Sequence, residues 1–90
     1  ALSMLRDYDA ALGEFEATVR VDPAHAEAHN NLGALNHVAG RFDVAATHYR
    51  RAIELRPENA EAHANLGRLL TLQGKAAEAA TAFERALALA

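Results

Sequence analysis

The sequence predicts an all-α chain, a solenoid of antiparallel helix pairs, and three observations carry that expectation. Ala26-Glu27-Ala28-His29-Asn30-Asn31-Leu32-Gly33 returns further on as Ala60-Glu61-Ala62-His63-Ala64-Asn65-Leu66-Gly67, and nearly half of the positions that can be aligned between the two copies are identical. A self-match at one fixed spacing of this size is the signature of stacked repeats. Within each copy the apolar residues recur at helical spacing. Glycine and proline fall where such pairs must turn, at Gly40 and Gly74 inside the units and at Pro23 and Pro57 between them.

Each full copy reads as two helices. Ala26 to Ala39 places Leu32, Leu35 and Ala39 at helical spacing, and Gly40 supplies a residue able to take the left-handed turn after a helix. Phe42 to Leu55 carries Phe42, Ala45, Ala46, Tyr49, Ala52 and Ile53 on one stripe. Arg56-Pro57 closes it, because proline cannot continue a helix and biases the residue before it away from one. Asn59 then reads as the N-cap of the next helix. The second copy repeats the plan with Ala60 to Gln73, Gly74, and Ala76 to about Ala88.

Residues 1–25 read as a truncated unit. Aligning Pro23 with Pro57 puts Ala11 opposite Ala45 and Phe15 opposite Tyr49, so Ala1 to Leu5 becomes the tail of a first helix and the rest a second one. The expected division is therefore a truncated unit at 1–25, a full unit at 26–59, and a unit lacking its closing residues at 60–90. A chain that begins at Ala1 reads as a piece of something longer.

Bulk properties exclude several function classes. The net charge of −3 argues against nucleic acid as a partner, which wants a basic face. No apolar run approaches the ~20 residues of a membrane span. The absence of cysteine excludes disulfides and thiolate metal sites. No Gly-rich phosphate loop or nucleophile–base set is visible, so the chain reads as no enzyme and as needing no cofactor. His25 and His29 are four apart and His29 recurs as His63. No carboxylate completes a metal motif around them, so they do not read as ligands, and His29 and His63 read as rings packed between helices.

The repeated residues resemble the tetratricopeptide repeat. That pattern runs aromatic-x2-Leu-Gly-x2-Tyr, Ala-x3-Phe, Ala, Pro over one helix pair. Here it stands as His29-x2-Leu32-Gly33-x2-Asn36, Ala45-x3-Tyr49, Ala52, Pro57. It stands again as His63-x2-Leu66-Gly67-x2-Leu70, Ala79-x3-Phe83, Ala86. Two departures are visible: histidine replaces the aromatic, and Asn36 and Leu70 replace the tyrosine. The resemblance implies a right-handed superhelix fragment with a concave groove and a role in protein–protein recognition. Glycine inside a helix costs about 1 kcal/mol against alanine, so Gly33 and Gly67 at one phase predict a close helix crossing that a Cβ would block.

What the resemblance implies about a site is a groove lined by the first helix of each unit. Asn31 and Asn65 resemble the asparagine ladder of the O-GlcNAc transferase type superhelix, which grips an extended peptide. A carboxamide offers an acceptor and two donors, enough to pair a peptide N–H and C=O together. The alternative is that both asparagines are family consensus. Around them Glu27, Asn30, Ala34, His37 and Val38 are expected to line the groove in one unit, and Glu61, Ala64, Arg68, Thr71 and Leu72 in the next. Small and mixed in charge, that lining suits an uncharged or weakly amphipathic segment. A clamp for a peptide carboxylate is not expected, because Glu61 and Asn65 stand where it would need basic residues.

The expected function is therefore a scaffold that binds an extended segment of a partner protein. A substrate-recruiting arm of a larger O-GlcNAc-type glycosyltransferase is the first alternative. The second is a self-assembly module. Solenoids finish with polar caps, whereas Leu12, Phe15 and Val19 at one end and Leu87 or Leu89 at the other are expected to be poorly covered, which suits further repeats or a homo-oligomer joined end to end.

Overall fold

The computed structural model describes residues 2–90, and their side chains from residue 7 onward. Five helices follow one another: α1 (Leu2–Val21), α2 (Ala26–Val38), α3 (Phe42–Leu55), α4 (Ala60–Leu72) and α5 (Ala76–Leu89). Among the described residues there is no strand. Each helix packs on the next in order, and α2 also touches α4, so α2 and α4 lie side by side.

The turns form where the chemistry requires them. Gly40 and Gly74 take φ of +81° and +76°, the left-handed region that a side chain disfavours. Behind Gly40 the amide of Arg41 donates to the carbonyl of Asn36 at 2.8 Å and that of Gly40 to His37 at 3.1 Å. Lys75 to Leu70 and Gly74 to Thr71 repeat the pair one unit on, and both turns are Schellman motifs that satisfy the last carbonyls of α2 and α4. At the other ends, Asn59 Oδ1 accepts from the amide of Glu61 at 3.1 Å, as an N-cap should. The equivalent position is His25, and its Nδ1 accepts from the amide of Ala28 at 3.1 Å. His25 is a helix cap through its ring nitrogen, a role that spacing alone did not suggest.

The core runs through α3, α4 and α5 as Ala45, Ala46, Tyr49, Leu66, Leu69, Leu70, Ala79 and Ala82, with Phe42, Ile53 and Phe83 packed against it. Alanines let the helices approach, and the leucines and Tyr49 fill what remains. Each buried leucine contributes about 1.5–3 kcal/mol relative to exposure. Gly33 and Gly67 face rings, those of Tyr49 and Phe83, and so the close approach is ring on backbone.

One expectation fails at the start of the chain. The tail-plus-helix reading of residues 1–25 required a break near residue 6, yet α1 runs unbroken from Leu2 to Val21. Arg6 stands one full repeat before Gly40, and with neither glycine nor proline at that point nothing interrupts the hydrogen-bond ladder.

Candidate functional site

On α2 the spacing of Glu27, Asn31, Ala34 and Val38 puts all four on one helical face, and Glu61, Asn65, Arg68 and Leu72 repeat it on α4. Glu27 and Glu61 are exposed at the starts of the two helices. Val38 and Leu72 are exposed at their ends, 83% and 60%, large apolar side chains left open to solvent at repeat-equivalent positions. Asn31 and Ala34 are half-buried between them. The stripe grades from acidic through amide to apolar along α2, whereas along α4 its exposed groups are Glu61, Arg68 and Leu72.

The two asparagines are not alike. Asn65 is buried at 9% exposure, and its Nδ2 donates to Oδ1 of Asn30 at 3.2 Å, across the seam between α4 and α2. Its own Oδ1 accepts from the guanidinium of Arg68. Asn30, itself buried, is therefore a seam residue and does not line an open surface as expected. The helical phase explains it: Asn30 sits about 100° from Asn31, on the flank that meets the neighbouring helix. The result is a polar chain, Asn30–Asn65–Arg68, that ends in an exposed cation.

His37 also departs from the groove reading. Its Nδ1 meets the hydroxyl of Tyr49 at 3.3 Å, and its ring stands edge-on to Phe42 and Tyr49. One turn beyond Gly33, it shares the face that packs on α3. Thr71, one turn beyond Gly67, is exposed, but its hydroxyl donates to the Gly67 carbonyl at 2.9 Å and it borders a shallow cleft with Phe83. Burial pushes the Tyr49 hydroxyl pKa up, and the positive charge of Arg68 partly opposes this.

The histidines do what packing residues do. Nε2 of His29 meets the Pro23 carbonyl at 2.8 Å and Nε2 of His63 meets the Pro57 carbonyl at 2.9 Å. A carbonyl only accepts, so both Nε2 atoms carry hydrogen and both Nδ1 atoms present a lone pair in the neutral ring. His29 Nδ1 then takes a hydrogen bond from Nδ1 of His48 at 3.2 Å, a residue the sequence had not singled out. Among the described residues, no three or more histidine, cysteine, aspartate or glutamate side chains come together as a metal site. No helix there is long and apolar enough to cross a membrane.

At the ends, Leu87 is 77% exposed on α5, with Leu89 exposed beside it, while Leu12, Phe15 and Val19 on α1 are half-buried. A concavity lies on the far side of α4 from the Glu61–Leu72 stripe, between α3 and α5.

Comparison with known proteins agrees with this fold. The tetratricopeptide repeat profile matches residues 2–49 and 38–90. A crystal structure of MamA superposes with a TM-score of 0.88 at 24% identity, covering 96% of this chain and 50% of that one. MamA from Desulfovibrio magneticus RS-1, from residue 41 to its end, gives 0.87 at 27% identity, covering 98% and 50%. An O-GlcNAc transferase mutant from Thermobaculum terrenum gives 0.89 at 34% identity, covering 92% of this chain but 16% of the transferase. The chain thus spans about half the length of the MamA structures and a small part of the enzyme. No curated protein matches. An all-α solenoid with two clear copies of one helix pair, matched along its length by one repeat profile, belongs to the tetratricopeptide repeat family.

Proposed function

We propose that the chain is a protein-interaction scaffold that holds an extended segment of a partner along the face made by α2 and α4. The observation that carries this reading is the doubled stripe, in which Glu27, Asn31, Ala34 and Val38 are echoed by Glu61, Asn65, Arg68 and Leu72. A peptide laid across both helices meets carboxylates on one edge and aliphatic side chains on the other, with Asn31 between them on α2 and Arg68 on α4. Asn31 supplies a carboxamide to the peptide backbone, and Arg68, oriented by Asn65, donates to a backbone carbonyl. Each such bond nets about 0.5–1.5 kcal/mol, so two units bind weakly and affinity grows with the number of repeats.

Binding of a peptide library to the wild type, to Asn31→Ala and to Arg68→Ala tests this reading. Loss of binding in both variants at unchanged helicity supports it. Equal binding in all three removes it.

A second reading rests on Leu87, exposed at 77% on the outer face of α5. That surface suits docking of another copy, and a mass in solution that stays monomeric at high concentration removes it. The arm of a glycosyltransferase is a third reading, supported by the 34% identity to the bacterial transferase. It stands or falls with a catalytic domain in the same polypeptide.

A further inference from the structure

The concavity between α3 and α5 goes beyond the peptide face and is independent of it. It is a groove open to solvent that offers about 900 Å³, within the roughly 300–1,000 Å³ of ligand sites. Leu66 and Leu70 of α4, Ile53 of α3 and Ala82 of α5 line it with apolar surface, and charged side chains of both signs surround them, Arg50 and Arg85 beside three glutamates. His63 closes one end.

The first copy of the repeat shows what this space holds when it is filled. In the repeat register Ala82 is the equivalent of His48, and His63 is the equivalent of His29. In the first copy the His48 ring, carried by α3, lies 5.4 Å from the His29 ring between centroids and meets its Nδ1 at 3.2 Å. In the second copy alanine removes that ring. His63 keeps the bond from Nε2 to the Pro57 carbonyl, so its Nδ1 lone pair is left for an incoming donor, and among the described residues no side chain meets it. Leu70 widens the gap, standing where the repeat pattern carries a tyrosine.

We infer that this groove is a second docking site, taking a tryptophan or tyrosine side chain of a partner protein. The chemistry selects that occupant. An aromatic ring replaces the one lost at Ala82 against an apolar lining. Its N–H or O–H donates to His63 Nδ1 as His48 does to His29. Arg50 and Arg85 line the groove, and a guanidinium group can stack on the face of such a ring. A plain aliphatic side chain offers no donor to the His63 lone pair.

The test is a titration with N-acetyltryptophanamide, followed by backbone amide chemical shifts, with N-acetylleucinamide as the control. The expected result is millimolar binding whose shifts cluster at Leu66, Leu70 and Ala82, at least tenfold weaker for the leucine compound. Ala82→His restores the ring of the first copy and is expected to abolish the response, and Leu70→Tyr, which fills the groove from α4, serves the same purpose if Ala82→His does not fold. Absence of shifts at those three residues, an equal response to the leucine compound, or a response that survives the filling variant overturns the assignment.

Discussion

Gly33 and Tyr49 are packed so closely that a Cβ on the glycine would lie 2.5 Å from Cδ1 of the ring, a distance that real side chains do not sustain. Tyr49 is buried at 1% exposure and has nowhere to retreat. Gly33→Ala is therefore expected to destabilise the fold by about 1–3 kcal/mol despite alanine's better helix propensity. Gly67→Ala is expected to cost less, because the contact is 2.9 Å and Phe83 is only half-buried. Gly13→Ala is the control: nothing lies within 4 Å of its Cβ, and α1 gains about 0.4–1 kcal/mol. Urea denaturation of the three variants checks the order.

The seam between α2 and α4 gives a second prediction. Asn65→Ala leaves Oδ1 of buried Asn30 without its donor, at a cost of about 1–3 kcal/mol. A double-mutant cycle with Asn30→Ala should return a coupling of about 0.5–1.5 kcal/mol. A coupling indistinguishable from zero contradicts the seam.

Acid should loosen the α2–α3 contact. Burial, then the neighbouring His29, lowers the pKa of His48 below its ordinary 6.5, and Glu16 partly opposes the shift. The folded chain thus favours neutral His48, while the unfolded chain takes up a proton at 6.5. Stability from this group is full above 6.5 and is lost as pH falls from there through the lower folded value. Urea midpoints measured between about pH 7.5 and about pH 5 should fall, with a shallower fall in His48→Ala. An identical slope in both proteins contradicts it.

The turn residues supply a fourth. Asn59→Ala removes the cap of α4 and should cost about 0.5–2 kcal/mol. Gly40→Ala, forced to φ near +81°, should cost about 1–2 kcal/mol. Thermal melts of the two variants check both.

Local chemistry made much of this fold legible. Gly40, Gly74 and Asn59 mark helix ends because left-handed turns and caps are properties of a few neighbouring residues. The glycines at 33 and 67 announced a close approach because they recur at one phase, although what approaches is a ring. The continuity of α1 through Arg6 is not legible from the repeat register, because the register places a turn at a position whose glycine is absent. The orientations of Asn30 and His37 are not legible for another reason. A single helical step of about 100° decides whether a side chain joins the open stripe or the packed flank, and only the neighbouring helix fixes that phase. The groove at Ala82 was written as departures from the pattern at His63 and Leu70, but its volume depends on three helices together.

The most direct test of the central claim is fluorescence polarisation of library-selected peptides against the wild type and the Asn31→Ala/Arg68→Ala double variant, with circular dichroism on the same samples. The double variant is expected to keep its helicity and to lose peptide affinity at least tenfold. Unchanged affinity at unchanged helicity would contradict it and move the functional surface away from α2 and α4.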